Sequence, residues 1–291
     1  MKVLGIGCHP DDLEIACGGT LRRYFEQGAE VYMCHVANGN QGHVVIEPDP
    51  LAAIRTKEAE ASGAMLGAKE VFNINVGDML VDSHDPAVMD AVADVVRYVR
   101  PDVILTHNPQ DYMQDHVETS HIATNASFCS GLSHRPRKYE PYNSFIPVFF
   151  MDTLAGVDFQ PTHYVDISAQ IETKLNALRC HESQLKWMYE HDGIDFADMV
   201  KTCSKYRGYQ CGVAFAEGFR PYVYLDVSDG FALWEKAIEH HWFAVHSTSF
   251  PYKEYYSHLK RLRGIEGRKG YCECFMIPAE QMRIVKKLED E

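Results

Sequence analysis

Two short polar stretches carry residue types that can do chemistry together. The first, His9-Pro10-Asp11-Asp12, directly follows the apolar run KVLGIGC. On a proline-stiffened turn, a histidine and two adjacent carboxylates can divide their work. His9 and Asp12 bind one cation while Asp11 faces a bound water. The same residues also suit an ordinary turn, with Asp12 capping the helix behind it. The second stretch, THNPQDYMQDHVETSH from Thr106, puts Asp111, Asp115 and His116 behind another apolar run, DVILTH. A histidine, an aspartate and a histidine from two loops give three ligands and leave a fourth position open. That is the composition of a catalytic zinc site, whereas a structural site is closed with cysteines. Metal-bound water loses its proton near neutrality, and Asp11 is the base that can take it.

These loops need a scaffold that brings them to one rim, and the first half of the chain supplies its pattern. KVLGIGC reads as a strand and LEIACGGTLRRYFEQG as a helix closed by Gly28. EVYMCHVAN is a second strand, followed by a helix with Asp49 as N-cap, Pro50 in its first turn and Gly67 as its stop. KEVFNINV is a third strand, DPAVMDAVADVVRYVRP a helix capped by Asp85 and stopped by Pro101, and DVILTH a fourth strand. Strands alternating with helices imply parallel pairing through right-handed crossovers. The expected fold is therefore α/β, a Rossmann-like doubly wound and mainly parallel sheet. Such sheets place ligands at the carboxyl ends of their strands, where both polar stretches lie.

Beyond about residue 135 the rhythm loosens. A Pro- and Tyr-rich connector leads to strands VFFMDT and HYVDIS and then to a long helix over 168–189. YRGYQCGVAFAEGF (206–219) echoes LRGIEGRKGYCECF (262–275), which suggests a degenerate helix-strand repeat or chance similarity. The expected division is a catalytic domain over 1–220 and a C-terminal α+β extension over 221–291, helical at 229–245 and 251–263.

With 291 residues and a formal charge of −13, the chain lacks the basic surface that nucleic acid or an anionic membrane requires. The nine cysteines lie mostly in apolar segments and read as reduced thiols rather than a disulfide framework. No signal-peptide pattern and no membrane-length apolar run is present, so a cytoplasmic location is the expectation.

HPDD with EIACGGTL, RTKEAEASGAMLG, THNPQDYMQDH, VDIS, KLNALRCHESQ and FAEGF occur in an order that resembles the LmbE/PIG-L family. The resemblance covers about residues 1–220 and implies a Rossmann-like, zinc-dependent de-N-acetylase acting on N-acetylglucosaminyl groups. It makes His9, Asp12 and His116 the zinc ligands and Asp11 the general base. It also matches Arg55 to an arginine that contacts substrate and Asp115 to a carboxylate that orients the site. One position departs from the pattern. Where the family commonly carries a histidine that stabilises the oxyanion, this chain has Met113, and a thioether donates no hydrogen bond.

The expected activity is removal of an N-acetyl group from a sugar or sugar conjugate, with Zn2+ or another divalent ion. The alternative on the same scaffold is a hydratase of an unsaturated carboxylic acid. The resemblance also implies a homo-oligomer. Asn38, in the amide-rich loop after the second strand, is a candidate for holding sugar hydroxyls or for a plain turn. His107, His121, His163 and His181 are candidates to replace the missing histidine. Glu217 reads as structural.

Overall fold

The computed structural model describes residues 1–135, 138–144, 146–226, 272–275 and 283–285. The chain divides into two compact units, Met1–Pro221 with Pro278–Glu291, and Tyr222–Ile277. In the larger unit the alternation read from the sequence is realised. The elements are β1 (Lys2–Gly7), α1 (Asp12–Glu26), β2 (Glu30–Ala37), α2 (Pro48–Leu66), β3 (Ala68–Val76), α3 (Pro86–Val99) and β4 (Val103–Thr106). They continue with α4 (Gln114–Cys129), β5 (Val148–Met151), a 3₁₀ turn (Leu154–Gly156) and β6 (His163–Asp166). Helices α5 (Ile171–Leu178), α6 (Glu182–Asp192) and α7 (Phe196–Cys211) precede β7 (Ala216–Asp226), β8 (Cys272–Phe275) and β9 (Arg283–Val285).

The strand order is β3-β2-β1-β4-β5-β7-β6-β9. Strand β1 pairs in parallel with both β2 and β4, and β4 with β5. From β1 the chain winds outward through β2 and β3, then returns to β4 on β1's other side. With right-handed crossovers, α1 and α2 lie on one face and α3 and α4 on the other. The order thus reverses between β1 and β4. Their carboxyl ends flank the crevice in which open α/β sheets bind ligands. Strand β6 pairs antiparallel with β7 and parallel with β9, so the sheet is mixed on that side. In the smaller unit the outer residues of β7 pair antiparallel with β8.

The core under α1 shows why this helix forms where it does. Leu13, Cys17, Leu21 and Tyr24 recur at helical spacing and pack with Val3, Leu105, Phe149 and Phe219 of the sheet. Gly28 and Gly67 end α1 and α2 with φ of 88° and 87°, and the Asp85 carboxylate caps α3 by accepting from Ala87 N at 2.8 Å.

Two local readings change. Helix α2 starts at Pro48 with Glu47 as N-cap, so Asp49 sits inside its first turn. The helix expected over 168–189 is two, α5 and α6, broken at His181, whose backbone is non-helical (φ −82°, ψ 57°). The break turns the imidazole inward, fully buried, 3.4 Å from Glu14 Oε1. The expected helices at 229–245 and 251–263 lie outside the described residues, as does most of the second copy of the proposed repeat. No described helix is long and apolar enough to cross a membrane.

Candidate metal centre and catalytic pocket

The turn after β1 and the loop after β4 meet across the crevice around Asp12. His116 Nε2 lies 3.3 Å from Asp12 Oδ1, and His9 Nδ1 lies 3.5 Å from Asp12 Oδ2. The His9 and His116 rings are tilted at 5.4 Å between centroids. His107, at the end of β4, stacks on His116 at 3.9 Å and brings its Nε2 within 3.2 Å of Asp12. Its lone pair is engaged, because Nε2 accepts the Cys8 N–H at 2.9 Å. Burial and the neighbouring His116 push its pKa down to about 4, which keeps it neutral.

Each of the other two histidines has one nitrogen tied to a carboxylate. His116 Nδ1 faces Asp111 Oδ2 at 3.1 Å, while its Nε2 is buried and has no hydrogen-bond partner. His9 Nε2 faces Asp115 Oδ2 at 3.2 Å, leaving Nδ1 toward Asp12. Asp115 also accepts from Met79 N at 2.8 Å. Such pairings fix a ring's tautomer and direction and leave the other nitrogen's lone pair free for a metal.

The field of the site favours a positive charge. Burial alone would lower the His116 pKa, but Asp12 and Asp111 raise it to about 10. His9 is likewise opposed by burial and raised well above its usual range by Cys8, Asp115 and Asp12. Burial would raise Asp12, yet His116 above all holds it well below the ordinary carboxylate range. Asp12, His107 and His116 bring one ligand atom each to within 4.8 Å of one another, and Cys8, His9 and Asp12 form a second such group, so a divalent metal fits a cluster centred on Asp12.

Asp11 stands beside this cluster in a backbone conformation that L-residues rarely adopt, φ 122°. Arg55 from α2 over-determines it: Nη2 lies 2.9 Å from Asp11 Oδ2 and also donates to the Pro10 carbonyl. Arg55 Nη1 donates to Gly39 O at 3.2 Å, and a Cβ on Gly39 would fall 2.4 Å from that nitrogen. Only glycine fits there, with φ 75°. Burial raises the Asp11 pKa to about 6, with Arg55 the main opposing influence.

The cluster opens into a cavity of about 710 Å³ that His9, Asp11, Asp12, Arg55, Asp115 and His116 all line. Asn38 is not among its lining residues. Its amide donates to Asn75 Oδ1 and accepts from Asn40 N, so it shapes the loop after β2. Asp78, which sequence reasoning passed over, lines the cavity and holds the same loop by accepting from Gly39 N and Gln41 N at 2.8 and 2.9 Å. Its signal was its position just beyond β3, on the same rim. Met113 lines the cavity beside Tyr112 and His107. Of the candidate replacements, His181 is buried on Glu14, and His163, on β6, has its Nδ1 against Thr162. His121 lies within α4. Glu217, read as structural, accepts from the Gly19 and Thr20 amides of α1 and pairs with buried Lys174 at 2.5 Å.

Comparison with known proteins agrees with this fold. Residues 4–127 match the family model PIG-L, described as GlcNAc-PI de-N-acetylase. The diacetylchitobiose deacetylase of Thermococcus kodakarensis is 28% identical over 246 residues, covering 78% of this chain and 85% of that protein. The structure of N,N'-diacetylchitobiose deacetylase from Pyrococcus horikoshii superposes with a TM-score of 0.65 at 29% identity, covering 76% of this chain and 83% of that one. The 4-carboxy-2-hydroxymuconate hydratase of Pseudomonas putida shares the fold, with a TM-score of 0.66 at 22% identity, 76% of this chain and 95% of that one. Motif order, a doubly wound sheet and the matched model converge on a PIG-L (LmbE-like) domain over residues 4–127.

Proposed function

We propose that the protein is a zinc-dependent hydrolase that removes the acetyl group from an N-acetylated sugar or sugar conjugate. The observation that carries this reading is the buried, unpartnered Nε2 of His116 beside Asp12, next to an aspartate held in a strained turn by Arg55. His9, Asp12 and His116 would hold the ion. Bound zinc supplies a water acidic enough to be deprotonated near neutral pH. Asp11 takes that proton and returns it to the amine nitrogen as the C–N bond breaks, giving acetate and the free amino sugar. A carboxylate raised to about 6 suits both halves of this transfer. Arg55 keeps Asp11 in place and, with Asp78 and Gln41 on the same wall, presents polar groups to sugar hydroxyls. Asp111 and Asp115 orient the two histidines.

Met113 offers nothing to the developing oxyanion. The side-chain donors next to it on the cavity wall are Gln114, whose amide donates to Glu118 Oε1 at 2.6 Å, and Tyr112. Tyr112 is therefore assigned that role. The relatives named as sugar deacetylases support this reading over the hydratase, whose likeness is one of fold alone.

The test is an assay of zinc-loaded protein for acetate release from N,N'-diacetylchitobiose and N-acetylglucosamine conjugates. Loss of conjugated-diene absorbance from a hydroxymuconate is measured alongside. Acetate release with no diene loss is expected. The reverse pattern would overturn the proposal.

A further inference from the structure

A second cavity, of about 310 Å³, lies alongside the catalytic pocket between α1, α7 and the 3₁₀ turn after β5. Ile15, Ala16, Asp152 and Leu154 line both spaces, and Ile15 sits one helical turn beyond Asp12 on α1. Protein interiors are close-packed and contain few voids larger than a water. An apolar cavity of about 150 Å³ already accepts a benzene-sized molecule.

The walls explain why this space persists. Arg207, itself buried, donates to Asp152 Oδ2 at 2.6 Å and Oδ1 at 3.0 Å, and to Phe159 O at 3.1 Å. This pins the loop after β5, where Ala155, Gly156 and Asp158 all have positive φ. Across the cavity Lys174 donates to Ile15 O at 2.8 Å and to Glu217. The charges in the wall are thus matched to one another.

The contrast with the catalytic pocket identifies the ligand chemistry. Arg55 Nε and His116 Nε2 in the catalytic pocket are buried with no hydrogen-bond partner, which calls for a polar ligand or an ion. Among the described residues lining the second cavity, no buried side-chain nitrogen or oxygen lacks a partner. The rest of its lining combines Ile15, Leu154, Met199, Val200 and Cys203 with four hydroxyl residues. Thr153 and Ser204 spend theirs on Val157 O and Val200 O, and Thr202 and Tyr206 stand exposed at the rim. Nothing there asks for a hydroxyl or a charge.

We infer that this cavity is a chain subsite of the catalytic pocket, taking an alkyl or aryl-alkyl group covalently attached to the sugar whose amide is cleaved. The inference rests on the deacetylase reading above and makes its substrate an amphiphile: an apolar aglycone keeps acetate as the product, and a longer N-acyl group extends the reaction beyond acetyl. The chain is either an N-acyl group longer than acetyl or an apolar aglycone. Both cross the shared wall of Ile15 and Leu154.

Two substrate series separate the sources. Glucosamines N-acylated with two to eight carbons vary the acyl chain, and methyl to octyl glycosides of N-acetylglucosamine vary the aglycone. Free amine release by the zinc-loaded full chain is followed in both. Each methylene fully buried is worth about fourfold in kcat/KM. One series should therefore climb steeply over its first few carbons while the other stays flat. Cys203→Trp, or Thr202→Trp at the exposed rim should the first fail to fold, fills the cavity and should remove the climb. If both series are flat or fall with length, or the climb survives both substitutions, the inference is wrong.

A readout independent of turnover uses the unmodified protein. Iodoacetamide labelling of Cys203, quantified on its own peptide, should slow severalfold in the presence of octyl N-acetylglucosaminide and not of the methyl glycoside. Equal labelling overturns the subsite. Protection without any amine release would retain the subsite and sink the deacylase reading instead.

Discussion

Replacing Asp111 tests how the loop after β4 prepares His116. Its carboxylate is the partner of His116 Nδ1 at 3.1 Å, is fully shielded from solvent, and is itself fixed by accepting from Met113 N at 3.0 Å. Removing the partner of a ligand histidine typically weakens metal binding by about 10–100-fold, or roughly 1.4–2.7 kcal/mol. Asp111→Asn loses the charge and one of the two oxygens that now serve Met113 N and His116 Nδ1, so a loss of at least about tenfold is expected. Asp111→Ala loses both and should approach a hundredfold. The zinc affinity is read by competition with a chromophoric chelator at fixed pH. The metal-free proteins give a second reading, because Asp111 is one of two carboxylates that lift the His116 pKa to about 10. In both variants the imidazole should titrate at lower pH by NMR. Zinc affinity within twofold of the parent, with an unshifted His116 titration, would refute the assignment of Asp111 as the group that orients this histidine.

Other consequences follow from individual contacts. Glu217→Ala strands a lysine that is 1% exposed and removes the acceptor of two α1 amides, so stability should fall by about 3–5 kcal/mol in denaturant unfolding. A loss under about 1 kcal/mol would contradict the clamp between α1, α5 and β7. Arg55→Met removes the main group holding the Asp11 pKa down against burial. Asp11 must be ionised to act as a base, so the acid limb of kcat should move to higher pH. A limb that stays or moves lower would separate Asp11 from that limb. With Tyr112 in the oxyanion role, Met113→His should change acetate release only a few-fold, whereas Tyr112→Phe should cost about 10²–10³-fold. A rise of about 10²-fold in Met113→His, or a near-parental Tyr112→Phe, would refute that assignment.

Much of this architecture was legible because local signals and packing agree. The apolar runs of β1, β2 and β4 are bounded by glycine or proline, and the Asp85 cap stands where its sequence context puts it. The break between α5 and α6 had no such signal. It is made by His181 turning in to meet Glu14, a partner distant in the chain, with no glycine or proline to announce it. The same limit applies to the site. His9, Asp11, Asp12 and His116 are brought together because their strands are neighbours at the switch point of the sheet. Which carboxylate serves which histidine depended on where α4 begins. Starting at Gln114, it sends Asp115 toward His9, and the turn before it folds Asp111 back on His116. Asn38 has the right chemistry for a sugar, but Asn75 and Asn40 claim its amide. Asp78 was missed because a lone aspartate in a loop is indistinguishable from a turn residue until the loop it holds is seen.

The central claim is that His9, Asp12 and His116 hold one metal ion while Asp11 moves the proton. Metal content and turnover measured on the same samples of Asp11→Asn and His116→Ala test it most directly. Asp11→Asn should keep one equivalent of zinc and lose about 10²–10⁴-fold in acetate release, whereas His116→Ala should stay folded and lose stoichiometric zinc. An Asp11→Asn protein with near-parental turnover, or a His116→Ala protein that retains its full zinc, would contradict the account.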